Sequence, residues 1–188
     1  MSMLINPYRF AGGGGGVPVG DLVLLDSFDL AAASASEDLS IATTSRDLLI
    51  VGSIRSDNAG AWTDLLTINF GSGGTVDTGT NYSWKMSSTA AADTSGTAGT
   101  KIDVGRVAAP NVLADVFSAV YIDVPGYSGS QHKYLSSSVS QYSASSSDAV
   151  SSTGGAGWHS TNAIDVVRIA VAAGQMVARS RLAVYGIG

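Results

Sequence analysis

The sequence predicts an all-β protein: an antiparallel β-sandwich of the jelly-roll type, carrying an extended N-terminal arm. Three observations predict it. Glu37 is the only glutamate and lysine occurs only as Lys85, Lys101 and Lys133, so the long polar side chains that usually clothe helix surfaces are scarce. The apolar residues fall in short Val, Ile, Leu and Tyr runs bounded by Gly, Ser, Asn and Asp, which is the punctuation of strands and turns. Within those runs the pattern has period two. In "IDVVRIAV", Val167, Ile169 and Val171 share one face while Val166, Arg168 and Ala170 share the other.

Taken in order, strands are expected at Asp21–Phe28, Asp47–Arg55, Asp64–Phe70, Asn81–Met86 and Thr100–Val107, then at Val116–Val124, Lys133–Gln141, Ala163–Ala172 and Ser180–Ile187. "RDLLIVGSIRS" is apolar on both faces around Leu48–Val51, which places it centrally in a sheet. Pro110 and Pro125 stand just outside strands, where a missing N–H does no harm. "ASASEDLSIA" and "APNVLADVF" each have room for a helical turn. Long polar loops are expected at 71–80, 87–100 and 143–157. Nine short strands at this spacing make a sandwich. The domain division is 1–20, an arm with a Gly-rich linker, and 21–188, the jelly roll.

With 188 residues and an apolar fraction of 45%, the chain can bury a core without disulfide or metal. Only 13% of residues are charged, against ~25% in an ordinary soluble domain, so much of the surface must be Ser, Thr, Gly and Ala. The net charge is -5 and the basic residues are scattered, which leaves no nucleic-acid footprint. The absence of cysteine excludes thiol catalysis and thiolate metal sites. Neither a secretory signal nor a membrane span is expected.

Motifs for chemistry are weak. "GYSGS" (126–130) puts Ser130 where G-x-S-x-G needs its second glycine, and His132 follows too closely to be a separately placed base. Asp57, Asn58 and Asp64 around Gly60 offer hard oxygens to Ca²⁺, but without EF-hand spacing or a bidentate Glu; turn formers in a hairpin loop explain them better. The pentaglycine Gly12–Gly16 is followed by Val17-Pro18 rather than Gly-Lys-Ser/Thr, so it reads as a hinge and not as a phosphate cradle. No catalytic residue, cofactor or metal is assigned. Trp62, Trp84, Tyr127 and Trp158 lie in or beside loops. They either close the ends of the core, stack on the sugar rings of a glycan, or form a subunit interface.

The N-terminal "INPYRF" sets Ile5, Asn6, Pro7, Tyr8, Arg9 and Phe10 ahead of the hinge. In an extended chain Tyr8 and Phe10 point to one side and Arg9 to the other, a pattern suited to docking on a partner surface. Together with "DLLIVGSIRSDNAGAWTDLLTINF", "TNYSW", "VFSAVYIDVPGYSGSQHKY", "WHSTNAIDVVRIAV" and "SRLAVYGI", this opening resembles the virion accessory proteins of tailed bacteriophages. The likeness spans residues 5–11 and about 47–188. "GSGGTVDTGT" is longer than the compact hairpin that the family places after "NF". The resemblance implies a non-enzymatic structural protein on the particle exterior. A capsid decoration protein or head spike is preferred to a tail fibre, because the chain leaves no room for a long shaft. The partners implied are other virion proteins (the major capsid protein, or a tail or fibre-attachment protein), and a homotrimer is expected. The alternative is a receptor-binding module for host surface glycans.

Overall fold

Two antiparallel sheets face each other in the computed structural model, which describes residues 21–142 and 149–188. The arm residues Ile5–Phe10 and the pentaglycine lie outside the described residues. Thirteen strands are present among the described residues: β1 (Leu22–Asp29), β2 (Ser36–Ser40), β3 (Asp47–Ile54), β4 (Thr63–Ser72), β5 (Thr75–Val76), β6 (Tyr82–Ser88), β7 (Ala91–Gly99), β8 (Ile102–Ala108), β9 (Ser118–Val124), β10 (Lys133–Tyr142), β11 (Ala149–Trp158), β12 (Val166–Val171) and β13 (Arg181–Ile187). The first sheet runs β1-β13-β3-β9-β10-β11-β6-β7. In the second, β2-β12-β4 is continued by β8, and the two-residue β5 pairs the end of β4.

The jelly roll is the alternation of β1, β2, β3, β4, β8, β9, β12 and β13 between the sheets, which sets β1-β13-β3-β9 over β2-β12-β4-β8. Two excursions leave this frame. One, after β4, contributes β6 and β7; the other, after β9, contributes β10 and β11. The four strands extend the first sheet, and β10, β11 and β6 curl over β8. The core lies between the inner faces: Leu48, Ile50 and Ile54 of β3 with Ile122 of β9 meet Leu66, Ile68 and Phe70 of β4 and Val167 and Ile169 of β12.

All nine expected strands form, β3 centrally as expected. Four others were not expected. "ASASEDLSIA" carries β2 rather than a helical turn, because Leu39 finds the core and Asp38 stands opposite Arg168 on β12. That pair is bidentate, with Arg168 Nε and Nη2 donating at 2.6 and 2.7 Å. "APNVLADVF" is a non-helical turn, gathered by Arg55 as described below. The region 87–100 carries β7 and the described part of 143–157 carries β11. Apart from Asp93, Val150 and Trp158 these strands are built from Ala, Ser, Thr and Gly, so no large apolar alternation announces them.

Candidate functional site

The four singled-out aromatics go to different environments. Trp62 is 55% exposed. Trp84 is half-buried, its ring lying against the backbone of Gly96 and Gly99, where an added Cβ would come within 2.1 and 2.3 Å of it. Tyr127 and Trp158 are closed in the core and present no ring face to solvent. The Tyr127 hydroxyl donates to the Ala42 carbonyl at 2.6 Å and accepts from the Ser45 N–H, while burial pushes its pKa up. The two that close the core therefore match the first of the three roles open to them from the sequence.

The other motif residues are consumed locally. Asp64 is buried and accepts from Ser56 Oγ at 2.7 Å and from the Leu65 N–H at 2.8 Å. Asp57 accepts from the Gln175 N–H at 2.6 Å. Among the described residues no three His, Cys, Asp or Glu side chains stand where they could share a metal. In "GYSGS", Ser128 donates to the Ser45 carbonyl at 2.8 Å and Gly126 N–H donates to Asp47, so the segment ties a corner of the sandwich.

Two surfaces emerge that reading the chain by segments did not assemble. The first is the outward face of the long sheet, which divides in two. On β1, β13, β3 and β9 it carries Leu24, Tyr185, Leu49, Val51, Ala183 and Tyr121, which cross-strand register places side by side, with Asp123 ending the row of Leu49 and Ser27 the row of Ala183. Leu24 is 54% and Tyr121 50% exposed. A depression of about 310 Å³ opens in this half between β1, β13 and β3, beside Val51 and Ala183. On β10, β11 and β6 the same face carries mainly hydroxyls, Ser136, Ser138, Ser140, Ser151, Thr153 and Ser87, with Lys85 on β6 and the exposed Tyr134 and Tyr142 towards the ends of β10. The signal for both halves was present: "KYLSSSVSQY" and "SAVYIDV" alternate strictly, and their outward members can be read off once the inward ones are fixed.

The second surface is a polar cleft of about 590 Å³ at one end of the sandwich, floored by Asp77 and Trp158 and walled by Asn81, His132, His159 and Asn162. Asp77 is its fixed point. Its Oδ2 accepts from Trp158 Nε1 at 2.7 Å and Asn81 Nδ2 at 2.9 Å, and its Oδ1 accepts from the Gly79 N–H at 2.8 Å. Burial pushes this carboxyl up, but the three hydrogen bonds to the charged form outweigh it, so its pKa lies below the ordinary value. Beneath it Tyr82 is buried, its hydroxyl at 2.9 Å from the Phe70 and Asp77 carbonyls and pushed up to about 12 by burial.

A carboxylate with a depressed pKa stabilises the fold above its unfolded value, ~3.9, and loses that contribution as pH falls through the folded value. The Trp158 indole N–H resonance is therefore expected to hold its position down to pH ~4 and to move only below it. A transition centred above that, or one unchanged in Asp77→Asn, contradicts the arrangement.

No family model, no curated protein and no solved structure matches the chain.

Proposed function

We propose that the chain is a non-enzymatic structural protein of the exterior of a tailed-phage particle, a capsid decoration protein or head spike in preference to a tail fibre. It associates as a homotrimer and is held by Ile5–Phe10 to another virion protein, either the major capsid protein or a tail or fibre-attachment protein. The observation that carries this reading is the divided outer face of the long sheet. One half is richer in apolar side chains, with Leu24 and Tyr121 about half exposed in the single chain, as suits contact between copies; the other is richer in hydroxyls and carries a single charge, Lys85, as suits exposure to water. The resemblance of "INPYRFA" to phage virion openings supplies the placement, and the low charge content supports an inert exterior. Of the four aromatics open to the alternative, recognition of host surface glycans, Trp62 alone keeps a largely exposed ring.

Sedimentation and particle incorporation test the two halves of the reading. The full chain is expected to sediment as a trimer, and Tyr121→Glu or Val51→Glu to sediment as a folded monomer. A full chain that stays monomeric at tens of micromolar removes the assembly role. Deleting residues 1–16 is expected to abolish incorporation into phage particles without lowering the unfolding temperature of the body. Undiminished incorporation removes the arm's role.

A further inference from the structure

We propose that the polar cleft at the end of the sandwich is a saccharide site that takes one neutral sugar ring. It contains the chain's only two histidines, His132 and His159, which lie 27 positions apart and meet edge to face with ring centroids 5.9 Å apart.

The cleft is held in shape before any ligand arrives. The β4–β5 turn is pinned by Asp165, whose carboxylate accepts from the N–H groups of Gly73 and Gly74 at 2.6 and 3.2 Å. The segment bearing His132 is pinned by Lys133: its side chain is buried, and its Nζ donates to the carbonyls of Gly129 and Gln131. The segment bearing His159 is pinned by its own N–H, which donates to the Asn81 carbonyl at 2.7 Å, and by Ser83 Oγ, 2.9 Å from its Nε2. Rigid loops of this kind lower the ordering cost of binding.

The groups left over define the ligand. Asp77 has used three of about four acceptor directions, so one remains for a hydroxyl. Asn81 and Asn162 each spend one amide N–H, on Asp77 and on Ser72 Oγ, which leaves each a second N–H to donate and a side-chain carbonyl to accept. Ser160 and Thr161 at the rim can both give and take hydrogen bonds. The imidazole rings supply flat surfaces for the C–H face of a sugar. Fixed acceptors and amide donors, adaptable hydroxyls and a flat ring match a polyol with one apolar face, and the volume lies within the ~300–1,000 Å³ common for small-ligand sites. The Asp77 carboxylate on the floor repels phosphates and sulfated sugars. Two imidazoles without a third ligand favour a metal less than a sugar.

Backbone amide shifts of the ¹⁵N-labelled full chain provide the test, with D-glucose, D-galactose and N-acetyl-D-glucosamine each titrated into the tens of millimolar. At least one sugar is expected to shift the amides of Asn81 and of 159–162 saturably. Asn162→Ala and His132→Ala, both at exposed positions, are expected to weaken that response at least fivefold while leaving the rest of the spectrum in place. Three flat titrations overturn the site, as does a response that both variants leave intact. Micromolar zinc chloride moving the same amides while the sugars do not makes it a metal site and overturns the assignment too. The outcome is independent of trimer formation and of particle incorporation.

Discussion

Arg55→Ala is expected to cost about 2–4 kcal/mol and to release the segment 109–116, and Arg55→Lys is expected not to repair it. The guanidinium donates through Nη1 to the carbonyls of Leu113 and Val116, both at 2.8 Å, and through Nη2 to those of Ala109 and Val112 at 3.4 and 3.3 Å. Four carbonyls that a helix would have bonded internally are gathered by one planar cation. Removing it leaves the Ala109 and Leu113 carbonyls only their bonds within the turn, and the Val112 and Val116 carbonyls to water where they can reach it and unpaired where they cannot. Lysine brings a single ammonium to a place built for a fork. Urea denaturation gives the cost. Hydrogen exchange at Val112 and Val116, whose N–H groups bond back to Ala109 and Leu113, should accelerate selectively. Unchanged exchange there means that the turn holds itself.

The second large effect is expected at Gly52. A Cβ at this position of β3 would stand 2.3 Å from the Arg181 carbonyl oxygen and 2.7 Å from the Leu182 Cα, both backbone atoms of the neighbouring β13. Because β3 is held between β13 and β9, neither side can give way without breaking pairing. Gly52→Ala is thus expected to destabilise by roughly 3 kcal/mol or more and to send much of the protein into the insoluble fraction. Gly155→Ala is the control. Its Cβ would meet only the Leu135 carbonyl oxygen, at 3.9 Å, so stability should change by less than about 0.5 kcal/mol. Equal losses at both positions would rule out crowding against β13 as the cause, since chain entropy by itself favours alanine over glycine.

The strands legible in the sequence are those in which Val, Ile and Leu alternate with polar residues, β3, β12 and β13 above all. β11 also alternates, but with Val150 and Ser152 inward and Ser151 and Thr153 outward, and a serine that is buried looks no different in sequence from one that is not. The turn at 109–117 looked helical because nothing local shows that Arg55, more than fifty residues earlier, will serve its carbonyls. Trp158 and Tyr127 stand beside Gly-rich stretches, where the sequence leaves core closure, a sugar platform and an interface all open; each reaches inward and satisfies its one polar atom, on Asp77 and Ala42 respectively. The cleft was the least legible feature. Asp77, His132 and His159 belong to three separate connections, and only the way the two excursions fold back brings them to one end of the sandwich.

Three ion pairs are present among the described residues, all at the surface and one of them between neighbours in sequence, while the outward side of β10, β11 and β6 is covered mainly by uncharged hydroxyls, with Lys85 its one charge. Such a coat is hydrated by dipoles, which dissolved ions screen very little. A body finished in this way should behave alike in fresh water and in brine, a useful indifference for anything that must outlast the medium around it.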